Sequence, residues 1–275
     1  MGKFDGVLLA ADFDNTLRPE NMARVPERSL LAREYFMKNG GRFTLATGRD
    51  LRSFRSIRHL LTVNAPVVLS NGAALFDPRT DTVVYEAGLP RNFQTDVAEM
   101  MARFPGIGVE VHRGFDIFVP RCNRGVEEHL ARMEETPRTA ALEQIDQATK
   151  FALFTDTIRT EDAAVHEILR YLESRWRGKY EAYISGGIVD VAAAGVSKAS
   201  GVRRLLSILG LKAEHLYCAG DGRNDLPMMA EARESFAPAD ANPAVLCAGP
   251  TVVCSAADGA LGEIVGILDK RYGQA

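Results

Sequence analysis

The stretch VLLAADFDNT at residues 7–16 joins five apolar residues directly to a pair of acids. The apolar run predicts a short strand of the kind that is buried on both faces of a parallel sheet. Acids that follow a buried strand are costly to hold unless they are paired or bind a metal. Asp12 and Asp14 stand two residues apart, so their side chains point the same way if the backbone stays extended. The stretch therefore predicts a buried parallel strand with a polar site at its carboxyl end.

Apolar strands and amphipathic helices alternate after this stretch. A helix is predicted over residues 26–38, and strands are predicted over 43–46 and 66–69. The alternation returns later, with a helix over 198–209 and a strand over 215–219. Strands that alternate with helices form parallel sheets through right-handed crossovers. The pattern predicts an α/β fold with a Rossmann-like, doubly wound parallel sheet.

The pattern changes between these two α/β blocks. Adjacent strand candidates, with helices between some of them, are typical of a separate α+β domain. We therefore expect residues 1–82 and 188–275 to form one core domain, and residues 83–187 to form an inserted cap domain. Gly186 and Gly187 have permissive backbones and are the expected hinge between the two.

The composition narrows the class of protein. The 275 residues are 46% hydrophobic and 25% charged, which is typical of a globular chain. Thirty-three Lys and Arg against thirty-six Asp and Glu give a net charge of −3, so the basic excess of a nucleic-acid binder is missing. The four cysteines form no CxxC pair, which excludes a zinc ribbon and suits a reducing compartment.

The N-terminal apolar run of five residues is too short for a signal peptide or a membrane span. Together with the cysteine pattern, it predicts a cytoplasmic protein. We expect a monomer or a homodimer, with neither nucleic acid nor a membrane as partner.

Polar residues gather where three of the predicted strands end. Two acids follow the first strand, and Thr47 and Gly48 follow the second. The stretch 220–225 follows the strand that is predicted over 215–219. In an open parallel sheet, ligands bind at the carboxyl ends of the strands. Lys198 begins the helix that precedes the last of these strands, so its ammonium is predicted to reach the same edge.

Carboxylates are the main chemical groups of this edge. Oxygen ligands from Asp12, Asp14 and Asp221 suit Mg²⁺, a hard cation that bridges to phosphate. One of the two leading acids can attack phosphorus and form an aspartyl-phosphate. The other can protonate the leaving alkoxide and then deprotonate the attacking water. We expect these three carboxylates to converge, with Lys198 as their single cationic partner.

Donors for a phosphate group are present at the same edge. Thr47 offers a hydroxyl, Gly48 an unobstructed backbone N–H and Lys198 a point charge. Asn71 precedes Gly72, and it either lines this pocket or makes a turn, because Asn-Gly is a turn signal. The set predicts phosphoryl transfer, in which the protein mainly positions groups and neutralises charge.

Several of these stretches resemble the signatures of one family. Residues 12–16, DFDNT, resemble the first motif of the haloacid dehalogenase-like (HAD) hydrolases, which usually reads DxDGT. The segments at 46–49, 70–73, 197–198 and 220–225 resemble the remaining motifs of the Cof-type branch, in the same order. The resemblance implies a Mg²⁺-dependent phosphatase for small phosphorylated metabolites, with the insertion as its α/β cap.

The resemblance also implies a role for each matching residue. Asp12 would be the nucleophile, and Asp14 would be the acid/base and would ligate Mg²⁺ through its backbone carbonyl. Asp221 would ligate Mg²⁺ directly or through water. Thr47 and Lys198 would hold the phosphoryl group, and Asn224 would contact phosphate. Asp225 would orient Lys198. Asn15 replaces the usual Gly, and Asn is tolerated at this position if its φ is positive.

Other functions stay open at this point. A phosphomutase or phosphotransferase of the same superfamily would pass the phosphoryl group to a sugar hydroxyl instead of water. A dehalogenase is less favoured, because it does not need Asp14. A catalytically idle metabolite-binding protein would have lost a nucleophile or metal ligand, and none is lost here. A hexose phosphate, a mannosyl-glycerate phosphate and a flavin-precursor phosphate all fit as substrate.

Overall fold

A computed structural model describes residues 2–114, 116–133 and 136–273. The strands are β1 (Leu8–Ala11), β2 (Arg42–Leu45), β3 (Val67–Leu69), β4 (Ala74–Asp77), β5 (Thr82–Glu86), β6 (Gly108–Arg113), β7 (Asp116–Arg121), β8 (Lys150–Phe154), β9 (Tyr180–Ser185), β10 (Ile188–Ala193), β11 (Leu216–Ala219), β12 (Glu234–Pro238) and β13 (Thr251–Val253). The helices are α1 (Glu27–Lys38), α2 (Leu51–Ile57), α3 (Phe93–Arg103), α4 (Arg124–Met133), α5 (Ala163–Arg175), α6 (Lys198–Leu209), α7 (Leu226–Glu231), α8 (Pro243–Leu246) and α9 (Ala260–Tyr272). None of the helices in these described ranges has the length and apolarity needed to cross a bilayer.

The chain forms two compact units, and each has its own hydrophobic core. The first, here called the core unit, comprises Met1–Asp50, Phe54–Tyr85 and Ser197–Ala275. The second, here called the insert unit, comprises Leu51–Ser53 and Glu86–Val196.

A five-stranded parallel sheet with the order β13-β12-β11-β1-β2 organises the core unit. β1 pairs with both β11 and β2, so Ala11 lies beside Ala219 on one side and Leu45 on the other. All residues of β1 and β11 are buried, as expected for strands that are covered on both faces. The order confirms the predicted doubly wound α/β sheet, and it sets the residues that follow β1 and β11 side by side.

A small sheet of β3, β4 and β5 belongs to the same unit. β3 and β4 run antiparallel and are joined by a turn at residues 70–72. An isolated parallel bridge between Ala46 and Val68 connects the end of β2 to β3. The backbone N–H of Asn71 donates to the Thr47 carbonyl at 3.0 Å, so the turn is held against the residues that follow β2.

An antiparallel sheet with the order β7-β6-β8-β10-β9 organises the insert unit. Residues of α3 and α5 pack with one face of this sheet in a core that includes Val97, Phe151 and Ile168. α4 contributes Val126 to a smaller cluster with Phe154 on the other face. The unit therefore has the α+β organisation that the sequence predicts for the insertion.

The insert unit extends further along the chain than expected. β10 pairs with both β8 and β9, so a boundary between residues 187 and 188 would divide one sheet. The insert unit instead continues to Val196. At its other end, the core unit continues to Tyr85 rather than to residue 82, because β5 is part of the small core sheet.

The expected hinge at Gly186 and Gly187 is also wrong. These residues form the two-residue turn between β9 and β10, with φ of 56° and 83°. Two successive positive φ values are typical of a tight hairpin turn. A side chain at Gly187 would come within 2.4 Å of the Arg159 backbone, so the turn is packed inside the insert unit.

Candidate active site

Backbone hydrogen bonds close the loop that follows β1. The Asp12 N–H donates to the Ala219 carbonyl at 2.9 Å, which ties the start of the loop to β11. The Arg18 N–H donates to the Phe13 carbonyl at 3.0 Å, and the Asn15 N–H donates to the Arg18 carbonyl at 2.8 Å. The φ of Asn15 is 59°, a left-handed value that asparagine tolerates, so its replacement of the usual Gly is accommodated.

Lys198 is buried in the first turn of α6 and joins two carboxylates. Its Nζ donates to Oδ1 of Asp12 at 2.7 Å and to Oδ1 of Asp225 at 2.6 Å. Ser197 caps the helix, because its hydroxyl accepts the Ser200 N–H at 3.2 Å. Burial alone would lower the pKa of Lys198, but the charges of Asp12 and Asp225 outweigh burial and raise it. Lys198 is therefore a cation fixed beside Asp12.

Asp225 also braces the turn that follows β11. Its Oδ2 accepts the backbone N–H groups of Asp221 at 3.1 Å and Gly222 at 2.9 Å. A Cβ at Gly220 would lie 2.4 Å from the Asp225 side chain, so glycine is required for this close approach. Both carboxylate oxygens of Asp225 therefore accept hydrogen bonds. The bond from Lys198 is the contact that is required if Asp225 orients this lysine.

Asp12, Asp221 and Asp225 form a cluster whose carboxylate oxygens lie within 4.8 Å of one another. Burial raises the pKa of Asp12, and the charge of Lys198 only partly opposes this. Burial and the Asp225 charge raise the pKa of Asp221 to about 6, although the Thr16 hydroxyl donates to its Oδ1 at 2.6 Å. Buried carboxylates this close repel one another, and an oxygen-preferring divalent cation relieves the repulsion. The donor set fits Mg²⁺ held by Asp12 and Asp221.

Two arginines hold the carboxylate of Asp14. Arg49 donates from Nε to Oδ2 at 2.7 Å and from Nη2 to Oδ1 at 2.9 Å. Arg18 donates from Nη2 to Oδ1 at 2.8 Å. Burial acts to raise the pKa of Asp14, but the hydrogen bonds and charges of the two arginines outweigh burial and lower it.

The expectation that three carboxylates converge around Lys198 as the single cation is therefore wrong for the Asp14 side chain. A bidentate guanidinium contact is a stronger partner for a carboxylate than a cluster of other acids. Asp225 takes the third place in the acidic cluster of the described residues. Metal ligation by the backbone carbonyl of Asp14 stays a prediction.

Thr47, Gly48, Asn71 and Asn224 lie together at the ends of β2, β3 and β11. The Asn224 amide donates from Nδ2 to Oδ1 of Asn71 at 3.0 Å. A Cβ at Gly48 would lie 3.4 Å from the Asn71 amide group. Asn71 is buried and has a φ of 52°, so it both makes the turn and points its side chain at Asn224. The turn predicted for Asn71 is therefore present, and its place in a phosphate pocket stays a prediction.

Sequence reasoning missed Arg18, gave no role to Thr16 and did not predict the contact of Arg49 with Asp14. Thr16 belongs to the first motif, and its contact with Asp221 ties that motif to the turn after β11. In the sequence, Arg49 follows Thr47-Gly48 and begins a row of arginines at i, i+3 spacing, which favours a solvated helix face over a patch for an anionic substrate or partner. The one available signal for Arg18 was a charged residue four positions after Asp14, in a loop that has to return to the sheet.

Similarity to known proteins agrees with this geometry. A family model described as haloacid dehalogenase-like hydrolase matches residues 9–265. The chain belongs to the haloacid dehalogenase-like hydrolases. The match includes every residue of the candidate site, and it confirms the family that the motifs of this hydrolase resemble.

Two curated relatives of this hydrolase are phosphatases by name. It is 23% identical over 250 residues to the 5-amino-6-(5-phospho-D-ribitylamino)uracil phosphatase of Escherichia coli. The alignment covers 88% of each chain. It is 29% identical over 237 residues to the phosphoglycolate phosphatase of Halorubrum lacusprofundi, covering 82% of this chain and 92% of the relative. These relatives and the family confirm the predicted class of enzyme, a phosphatase.

A solved structure of a HAD phosphatase shows the same fold. The phosphatase BT1666 from Bacteroides thetaiotaomicron matches this hydrolase with a TM-score of 0.79 at 22% identity. The match covers 99% of this chain and 97% of that one, so it includes both the core unit and the insert unit.

Proposed function

We propose that this hydrolase is a Mg²⁺-dependent phosphatase that hydrolyses small phosphorylated metabolites through an aspartyl-phosphate on Asp12. The observation that carries the proposal is the buried contact of 2.7 Å between Lys198 and Asp12, beside Asp221. Lys198 supports the anionic form of Asp12, which a nucleophile needs. The raised pKa values of Asp12 and Asp221 favour the binding of a further cation at the same place.

The proposed reaction has two half-reactions. In the first, a carboxylate oxygen of Asp12 attacks phosphorus, the bond from phosphorus to the leaving oxygen breaks, and Asp14 donates a proton to that oxygen. In the second, water attacks phosphorus, Asp14 accepts its proton, and the bond to Asp12 breaks to release phosphate. The lowered pKa of Asp14 favours its carboxylate form, which is the form that accepts the proton in this second half-reaction. Bound Mg²⁺ would supply positive charge that offsets the charges of the phosphoryl group and the carboxylates.

We assign the binding of the phosphoryl group to Thr47, Gly48, Lys198 and Asn224. The hydroxyl, the backbone N–H, the ammonium and the amide are donors for phosphate oxygens. The contacts that hold Asn224 against Asn71 and Asn71 against Thr47 support this assignment, because they keep the amide near the backbone donors.

The substrate class rests on the relatives and on the insert unit. The two curated relatives are named for small phosphate monoesters, one a ribityl-aminopyrimidine phosphate and the other phosphoglycolate. We propose a substrate of that size for this hydrolase. We also propose that the insert unit, Glu86–Val196, serves as the cap domain that selects among such esters.

Phosphate release measured with and without metal tests the proposal. The purified protein is assayed with p-nitrophenyl phosphate and a panel of metabolite phosphates, in Mg²⁺ and after dialysis against EDTA. We expect hydrolysis that EDTA abolishes and Mg²⁺ restores. Undiminished turnover in excess EDTA would contradict the metal dependence. Transfer of phosphate to an added sugar, in place of its release, would favour a phosphotransferase.

A further inference from the structure

The two guanidinium groups that hold Asp14 form a cationic pair to which the proposed reaction gives no contact with the substrate. Both lie over the Phe13 ring, with the Arg18 Cζ 5.3 Å and the Arg49 Cζ 5.8 Å from the ring centroid. Both contact the same carboxylate, at 2.7 to 2.9 Å. In direct contact, two positive charges therefore face one negative charge.

Arg18 is the member of this pair that has a buried donor without a partner among the described residues. Its Nη1 donates to the Met22 carbonyl at 2.8 Å, and its Nη2 donates to Asp14. Its Nε is buried and has no hydrogen-bond partner in the part of the chain that the structure describes. The side chain is only 13% exposed, so water does little to compensate the charge. A partly buried cation with spare donors favours the arrival of a second anion.

The place of this pair in the reaction suggests where that anion comes from. The leaving oxygen has to contact Asp14 to receive its proton. The atoms one or two bonds beyond that oxygen then lie near the guanidinium groups that grip Asp14. The group that these arginines already hold is a carboxylate, and Arg49 holds it with the fork geometry that suits carboxylates.

We propose that Arg18 and Arg49 select substrates whose leaving group carries a carboxylate close to the ester oxygen. This inference rests on the proposed function, because it specifies which esters the same site prefers. Arg18 would contribute most to the selection, since it gives one donor to Asp14 whereas Arg49 gives two. A neutral leaving group of the same size would gain nothing from the pair.

A matched pair of substrates tests the inference on the full-length protein with Mg²⁺. Phosphoglycolate and 2-hydroxyethyl phosphate differ only in a carboxylate in place of a hydroxymethyl group. We expect kcat/KM to favour phosphoglycolate by about tenfold or more, because one charge-assisted contact has that effect. Arg18→Gln removes the charge, so the preference should fall to within about threefold of unity. Arg18→Lys should recover part of it.

Arg58→Gln is the control, because it removes the same charge from the core unit. Arg58 is 51% exposed and pairs with Asp81. This variant should keep the wild-type ratio between the two substrates. A wild-type enzyme that hydrolyses both esters equally well would overturn the inference. So would an Arg18→Gln variant that loses activity on both esters by the same factor, since Arg18 would then only position Asp14. Absence of hydrolysis for every ester, with Mg²⁺ present, would instead reject the proposed function itself.

Discussion

Two buried carboxylate sites in this chain are built in opposite ways. In the core unit, Asp12 and Asp221 lie close together, and burial raises the pKa of both. In the insert unit, Glu110 is fully buried, but its two oxygens contact His112 Nε2 at 3.2 Å and His129 Nδ1 at 3.0 Å. Burial alone would raise the pKa of Glu110, yet the two histidines lower it to about 2.

The difference separates a site that is arranged for chemistry from one that stabilises a domain. A carboxylate whose partners lower its pKa is most stable as an anion, so it stabilises the folded state at neutral pH. A carboxylate whose pKa is raised is unfavourable as an anion unless it binds a cation or a proton. Changes at the core site should therefore alter activity more than stability, and changes at Glu110 should do the reverse.

The largest effect is expected for Asp12→Asn. The amide keeps the shape of the side chain but is no nucleophile, so kcat should fall by about 10³-fold or more. The melting temperature in metal-free buffer should change little, because the loss of attraction to Lys198 is offset by relief of repulsion from the neighbouring acids, and Asp225 still pairs with Lys198. Phosphate release and thermal unfolding measure the two parts. Asp146→Asn, a change at a side chain that is 77% exposed, is the control and should alter neither.

Asp14→Asn should produce the next largest effect, and the size should depend on the leaving group. Loss of the proton donor should slow alkyl phosphates by about 10²- to 10³-fold. p-Nitrophenyl phosphate has an acidic leaving group and should lose much less. Kinetics on both classes of ester give the comparison, and equal losses for the two would rule out the acid role of Asp14.

Glu110→Gln tests the other side of the contrast. The pKa of Glu110 is about 2 in the folded protein, against an ordinary value of 4.5. Its stabilisation is therefore fully present above pH 4.5 and is lost as the pH falls toward 2. The shift corresponds to about 3 kcal/mol in the free energy of unfolding. Urea unfolding should show a loss of that order at pH 7 and a much smaller loss at pH 3. A loss that is the same at both pH values would argue against the ionised pair.

The smallest effect concerns the pH dependence of the metal-free core site. The pKa of Asp221 is raised from 3.8 to about 6, so the folded state binds more protons than the unfolded state between these values. Stability from this group is present below pH 3.8 and is lost as the pH rises through 6. Mg²⁺ should therefore raise the melting temperature more at pH 7.5 than at pH 5, because it competes with protons for the same oxygens. An equal or smaller Mg²⁺ effect at pH 7.5 would contradict a carboxylate site.

The position of the acidic site could be predicted from the sequence, because the order of the strands in the sheet determines it. Asp12 follows a buried strand, and Asp221 follows another, so parallel pairing of β1 with β11 brings them to one edge. Lys198 could be placed at the same edge because it begins the helix that precedes β11.

Side-chain choices in loops were not predictable in the same way. The partners of Asp14 depend on how the loop after β1 folds back, and no periodicity encodes that path. The boundary near residue 188 was missed because a strand in the insert sheet reads like a strand in the core. Gly186-Gly187 suits a hairpin as well as a hinge, and only the pairing of β9 with β10 distinguishes the two.

The pairing of Glu110 with two histidines was also out of reach of the sequence. Glu110 and His112 are on β6, whereas His129 is on α4, and packing of the helix on the sheet brings them together. Spacing arguments treat each histidine alone, so they predict a surface or structural residue and miss the shared carboxylate.

Trapping of a phosphoryl analogue tests the central claim most directly. A crystal structure of the protein with Mg²⁺ and beryllium fluoride should show the trifluoroberyllate group bonded to a carboxylate oxygen of Asp12, within hydrogen-bond distance of Lys198 Nζ. Asp12→Asn, treated in the same way, should carry no adduct. An adduct on Asp14, or on any residue other than Asp12, would contradict the account.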